Sequence, residues 1–389
     1  MRRFFLGVCL ASLCAAQSDL HELAFVMDGH VHVMSRQLLQ GLDIGDRLPD
    51  GHVDLPRLRE GRLDAVFFSV YTPEAYYPAR HEIKNTFRVV ELALDQIEKN
   101  RDRIELALNA ADLERIARSG KIAAFLDLEG AFDLDGDLHV LRALYRLGLR
   151  SAQLTAHNYT HQFADSCCDV RKWGGLNEHG RRVVREMNRL GMVINVAHGS
   201  DETILQTVTE SQDPVIYTHG GFRHFIDITR LISDEAAKAV AAKGGVVGLQ
   251  FGNSFNNPEY FRWRHNGPLV SDISKKLGQY ATMTIAQVDE EAAKELPMVS
   301  LPGSTPEQYQ MGVDQLARVI DYGVNLIGED HIALGSDFDG GPLLPREMKD
   351  ASDYGEITKA LQRLGYKERR IRKILGENLL RVIREVTGK

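Results

Sequence analysis

Seven residues carry chemistry if the fold brings them together: His30, His32, Glu129, His157, His198, His219 and Asp337. His30 and His32 stand two apart in "MDGHVHV". In an extended strand, residues i and i+2 point to the same side, so Asp28, His30 and His32 are expected on one face. The other five close apolar runs: "FLDLEG", "QLTAHN", "INVAHG", "IYTHGG" and "ALGSDFDG". Five of the 14 histidines fall in these few places, which scattered surface histidines would not do. Charged imidazoles crowded together would repel; neutral ones sharing cations would not. Glu129 has two oxygens and is able to bridge two metals about 3.5–4 Å apart. Such nitrogen and oxygen donors suit zinc first, with iron, manganese or cobalt also served. One strand-end histidine alone is as readily packed or hydrogen-bonded. The set together points to a metal centre.

The elements that must position these residues are legible as an alternation. Eight apolar runs occur at 24–33, 64–72, 121–130, 151–158, 192–199, 214–221, 245–252 and 331–340. Near-continuous hydrophobicity means strands buried on both faces, as in parallel sheets. Amphipathic segments lie between them. "LNEHGRRVVREMNRLG" offers Asn177 as N-cap and Gly191 as stop. "SDEAAKAVAAKGG" offers Ser233 and Gly244 in the same roles. Strand–helix alternation repeated eight times predicts an α/β fold, a (β/α)8 TIM-type barrel, whose chemistry sits at the C-terminal strand ends. A doubly wound open sheet would want a Gly-rich phosphate turn, and no GxGxxG is present. Long segments at 34–63, 159–176 and 252–330 shape the mouth. The last contains "NNPEYFRWRHNG" and reads either as a lid over the substrate or as a solvated insertion with Phe261 and Trp263 packed beneath it. Cys167 and Cys168 read as a vicinal disulfide or packing, since no partner that would activate a thiol is evident.

Composition narrows the class. The chain has 389 residues, 43% hydrophobic and 26% charged, with net charge −7. That acidity argues against a nucleic-acid or anionic-membrane partner. Residues 1–16, with Arg2 and Arg3, a short apolar run, then Cys14 and Ala16, have the anatomy of a signal peptide. The expectation is an exported protein, periplasmic or secreted, with one catalytic domain over 17–389. No membrane anchor is expected after signal removal. Cys9 and Cys14 would leave with the signal.

The chain resembles the membrane dipeptidase (renal dipeptidase) family of the amidohydrolase superfamily. The resemblance runs from about Asp28 to "GENLLRVI" and is carried by "LEGAFDLDGDLHVLRALYRLGLRSAQLTAHN", "VVREMNRLGMVINVAH", "PVIYTHGG" and "HIALGSDFDG". It implies a binuclear zinc centre and hydrolysis of dipeptides, including those with a C-terminal D-residue, by a metal-bridging hydroxide. By position, His30 and His32 would hold one metal, His198 and His219 the other, with Glu129 between. His157 would bind substrate and steady the oxyanion, Asp337 would handle the proton, and Arg230 in "ITRLISDE" would take the substrate carboxylate. The partners implied are small dipeptides, and a homodimer is suggested. Two departures stand out. The animal enzymes have aspartate where His32 stands, so this site has one negative charge fewer. Gly220 and Gly221 replace hydroxyl residues, which is expected to loosen the substrate wall. Two other readings compete: another amidohydrolase reaction in the same barrel (lactone, N-acyl-amino-acid or phosphoester hydrolysis), and a metal-binding protein without turnover.

Overall fold

Each of the eight apolar runs overlaps a strand of one parallel ladder. In a computed structural model, which describes residues 20–72, 77, 81–130, 133, 135–155, 159–264, 282–295 and 305–388, the strands are β1 (Met27–Val31), β2 (Ala65–Tyr71), β3 (Ile104–Leu106), β4 (Ile122–Glu129), β5 (Leu149–Gln153), β6 (Val193–Asn195), β7 (Ile216–Tyr217), β8 (Val246–Leu249) and β9 (Ile332–Leu334). The order is β1-β2-β4-β5-β6-β7-β8-β9, all parallel. Closure comes from the chain just past β9. His32 N–H donates to Phe338 O at 2.8 Å and Asp337 N–H to His30 O at 3.0 Å. The result is an eight-stranded TIM-type barrel wrapped by helices. β3 is outside the eight: it pairs the first half of β4, while β5 pairs the second half. At three residues within a polar stretch, it carries too little apolar signal to be seen in sequence.

The sequence places the caps correctly because the caps are local chemistry. Asn177 accepts the N–H of Gly180 at the start of Glu178–Leu190, and Gly191 ends it at φ 67°. Ser233 accepts from Ala236 at the start of Asp234–Ala242, and Gly244 follows at φ 86°.

Strand alternation then divides the chemistry. On β4, Ala123, Phe125, Asp127 and Glu129 share one face, opposite Ala65, Phe67, Ser69 and Tyr71 of β2. The first half of that face is apolar: Phe67 and Phe125 stack at 4.8 Å. Met27, Val193, Ile216 and Val246 join them, with Leu379, Val382 and Ile383 of the final helix (Asn378–Thr387). The second half is polar and faces the mouth. The opposite face, with Val66, Phe68, Ala124, Leu126 and Leu128, belongs to the core shared with the surrounding helices. Each fully buried aromatic here is a site where truncation to alanine typically costs 3–5 kcal/mol.

The ladder register slips between Leu126 and Asp127 where β4 meets β5, and again in β1. The β1–β2 register slips between Asp28 and Val31, so Asp28 does not join His30 and His32. Its Oδ1 accepts the backbone N–H of His30 and of Ser336, both at 2.9 Å, tying β1 to the β9 segment. A one-residue slip moves a side chain to the other face. Within 252–330, helix Ile285–Glu295 is docked: Val288 and Ala292 pack with Tyr77, and Asp289 accepts Tyr77 Oη–H at 2.6 Å. Trp263 is 38% exposed and stacks on Tyr309 of the same segment at 5.2 Å. The signal-peptide expectation for 1–16, His157, and residues 265–281 and 296–304 of the insertion lie outside the described residues.

Candidate metal centre

Glu129 ends β4 at the mouth, fully buried, with each oxygen turned to a different pair of imidazoles. Oε2 lies 3.1 Å from His30 Nε2 and 2.7 Å from His32 Nε2. Oε1 lies 3.2 Å from His198 Nε2 and 3.5 Å from His219 Nε2. Within each pair the two Nε2 atoms approach to 3.1 Å. The His30 and His219 rings stack at 3.7 Å, joining the pairs. Asp337 Oδ1 stands 3.2 Å from His32 Nε2 and 3.8 Å from His30 Nε2. Three overlapping groups each have donors within 4.8 Å: His30–His32–Glu129, His30–His219–Asp337 and Glu129–His198–His219.

The donor chemistry fits divalent cations. Within each pair the two Nε2 atoms converge on the same Glu129 oxygen, so a cation placed there would take the electron pairs of both rings in place of protons. Six donor groups of the kind zinc accepts are gathered in one buried space. Sterically demanding backbone holds them there. His198 and Asp337 both sit at φ 62°, and Asp339 at φ 61°, a region side-chain-bearing residues enter only when the surroundings require it. A Cβ on Gly340 would lie 2.0 Å from Asp337 Oδ1 and 2.6 Å from His32 Cδ2. Glycine is needed there.

Protons compete for these nitrogens. With the protein's own groups alone, burial disfavours charge on His32, but Glu129 and Asp337 outweigh it and push His32 up to about 10. Burial likewise opposes charge on His30, and Glu129 with Asp127 raises it to about 9. Glu129 moves the opposite way: burial would raise it, yet the His32 and His30 charges hold it well below the usual carboxylate range. Burial, then the charges of His30 and Arg230, depress His219 far below its ordinary value, so its ring is neutral. These shifts set a pH dependence. A histidine whose folded pKa is raised stabilises the fold fully below its unfolded value of about 6.5, and that stability is lost as pH rises through the folded value. Chelator-treated protein should therefore lose several degrees of Tm between pH 7 and 10. Metal-loaded protein should lack this slope, because coordinated imidazoles carry no competing proton. Thermal unfolding across that range, with and without chelator, checks it.

Arg230 lies at the edge of the second pair, 8% exposed. It donates to His198 Nε2 at 2.9 Å and to Tyr217 Oη at 3.0 Å, with its guanidinium 5.0 Å above the Phe255 ring. The expectation of a loosened wall at Gly220–Gly221 is not met. A Cβ on Gly220 would fall 2.2 Å from Tyr217 Oη, and one on Gly221 would fall 2.7 Å from Phe255 O. The glycines admit Tyr217 and the Phe255 segment, which then brace Arg230. Cys167 and Cys168 are joined as a vicinal disulfide, and Cys167 N–H donates to His198 O at 2.7 Å.

Sequence reading missed Gln250, Ser69, Asp127, Asn195 and Thr218. Gln250 Nε2 donates to Asp337 Oδ2 at 2.9 Å, and its Oε1 accepts Gly252 N–H at 2.6 Å. Ser69 Oγ donates to Glu129 Oε2 at 3.0 Å. A signal existed: each is a polar residue within or at the end of an apolar run.

Comparison with known proteins follows the same line. The family model described as membrane dipeptidase (peptidase family M19) matches residues 14–388. Dipeptidase tcpJ of Claviceps purpurea is 31% identical over 344 residues, 86% of this chain and 69% of that protein. Dipeptidase aclJ of Aspergillus oryzae is 29% identical, covering 86% and 70%. Among solved structures, the probable dipeptidase PvdM of Pseudomonas aeruginosa matches with TM-score 0.76 and 23% identity, covering 95% of this chain and 97% of that one. A Rhodobacter sphaeroides metallopeptidase, liganded with a phosphinate mimic of the dipeptide L-Ala-D-Ala, matches with TM-score 0.71 and 24% identity, covering 93% and 99%.

Proposed function

The chain belongs to the membrane dipeptidase family, and on that premise we propose that this metal-dependent dipeptidase works with two divalent cations, zinc first, shared across Glu129. The observation that carries this is the division of the Glu129 carboxylate, one oxygen toward His30 and His32, the other toward His198 and His219. Cations held there would supply Lewis acidity for the carbonyl and lower the pKa of bound water toward about 7.

The chain's own groups do the rest. Burial would raise the Asp337 carboxyl, but the hydrogen bond and charge of His32 hold it below its ordinary value. With cations bound, their charge would replace that of His32 in keeping the carboxyl ionised, and we assign it the proton taken from water and handed to the leaving amine. Gln250 holds Oδ2, so Oδ1, which faces His32 across the centre, is the atom assigned the proton. Arg230, braced by Tyr217 and Phe255, is the carboxylate grip, and His157 is assigned the oxyanion contact the family resemblance implies. Arg230→Ala should raise KM for dipeptides by roughly 10- to 100-fold, the size of a hydrogen bond to a charged group, with little change in kcat. Steady-state kinetics on one dipeptide reads both.

Tolerance of a C-terminal D-residue is part of the reading, supported by the ligand of the Rhodobacter relative. The test is a substrate panel: L,L- and L,D-dipeptides, a C-terminally amidated dipeptide, an N-acyl amino acid, a lactone and a phosphoester. Both dipeptides should turn over and the amide should fail. Preferred turnover of the lactone, N-acyl amino acid or phosphoester would replace this reading with another amidohydrolase reaction.

A further inference from the structure

Beneath the ligands lies a layer of buried polar residues that the proposed reaction does not use. Asp127 stands on β4 two residues before Glu129, on the same face, between Ser69 and Ser151 in the ladder. It is wholly buried. Its Oδ2 is 3.9 Å from His30 Nδ1. Neither His30 Nδ1 nor Asp127 Oδ1 has a hydrogen-bond partner among the described residues. Asp127 Oδ2 accepts instead from Asn195 Nδ2 at 3.1 Å. The Asn195 amide has only one workable orientation, because its Oδ1 accepts the backbone N–H of Ala197 at 3.0 Å and of Thr218 at 3.4 Å. Its second amide hydrogen goes to Thr218 Oγ1 at 2.8 Å, and that oxygen is 3.0 Å from His219 Nδ1. A chain of polar contacts therefore runs from the Nδ1 of His30 to the Nδ1 of His219, through β4, β6 and the end of β7.

We propose that Asp127, Asn195 and Thr218 are positioning residues that fix the rings of His30 and His219 with Nε2 toward the cations, and so set the affinity of both halves of the centre. The inference rests on the metal reading above. Its first support is cost: a buried carboxylate with an unused oxygen is expensive in an interior that is apolar directly below it. Its second is geometry. The orphan Nδ1 of His30 stands 3.9 Å from Asp127 Oδ2 and needs about 1 Å of ring movement to reach hydrogen-bond length. A ligating imidazole donates its other N–H to a carboxylate, carbonyl or water, and losing that partner typically costs 10- to 100-fold in metal affinity. Charge is the third. With neutral histidines, Glu129 and Asp337 leave two divalent cations with two uncompensated positive charges, and Asp127 offsets one of them on the His30 side.

The partners are unequal, so their loss should be unequal. Asp127 serves His30, Thr218 serves His219, and Asn195 holds both. Metal-free full-length protein is titrated with Co²⁺ against a chromophoric chelator, giving two dissociation constants. Asp127→Asn should weaken one of them 10- to 100-fold and leave the other within about threefold. Thr218→Val should weaken the other, and Asn195→Ala both, with each metal-free variant melting within a few degrees of wild type. Two wild-type constants in Asp127→Asn would overturn the inference, as would equal weakening of both accompanied by a lowered metal-free Tm. Wild-type protein that binds no Co²⁺ would overturn the metal reading, and this inference with it. Should Asp127→Asn fail to fold, ¹⁵N NMR of histidine-labelled, metal-loaded wild type decides. His30 and His219 bound through Nε2 with Nδ1 protonated is the expected result, and either ring bound through Nδ1 contradicts the proposal.

Discussion

Glu129→Gln is expected to remove both cations and, with them, dipeptide hydrolysis. The carboxylate is the one group in contact with all four imidazoles. The amide that replaces it carries no charge and turns an N–H₂ donor toward one histidine pair, where a cation must sit. Breaking a buried charge arrangement by removing one partner costs about 3–5 kcal/mol, which is roughly two to three and a half orders of magnitude in affinity. Metal analysis after gel filtration should find less than one cation per chain, with kcat/KM at least 100-fold down. The same variant should flatten the pH dependence of metal-free Tm between 7 and 10, because Glu129 is the strongest influence raising His30 and His32. A variant that keeps two cations would dismiss Glu129 as the shared ligand.

Asp337→Asn should separate binding from turnover. The side chain accepts from Gln250 on one oxygen and faces His32 with the other. The amide keeps the shape but cannot carry the proton from water to the leaving amine. Loss of a general acid–base group costs typically 10²- to 10⁴-fold, so kcat should fall by that much while KM moves little. Retention of both metals would show that Oδ1 acts as proton carrier rather than ligand. Loss of one metal with a matching loss of rate would assign it to the first coordination sphere instead. A kcat within a few-fold of wild type would remove Asp337 from the reaction.

The barrel was legible because its strands are buried on both sides, which writes them into the sequence as apolar runs. Helix caps at Asn177, Gly191, Ser233 and Gly244 were legible because their chemistry is local. The strand-end residues could be listed from those runs, since barrel topology itself brings strand ends together. What sequence periodicity cannot carry is an irregularity. The slip in β1 takes Asp28 away from His30 and His32, and nothing in "MDGHVHV" announces it. Nor does the sequence tell that Gly220 and Gly221 make room for Tyr217 and the Phe255 segment rather than for substrate. Those outcomes depend on side chains far apart in the chain meeting at one point. Asp127 was within reach: a carboxylate in an apolar strand, two residues before a ligand, must face the same way as that ligand.

The most direct measurement counts metal and activity in one preparation. Purified protein is analysed for divalent metals per chain, assayed on a dipeptide, stripped with chelator, and reassayed after metal is returned. Two cations per chain, activity lost on stripping and recovered on return, is the expected result. Full hydrolysis by protein stripped of metal, or full activity with a single cation, would contradict a centre built on the two oxygens of Glu129.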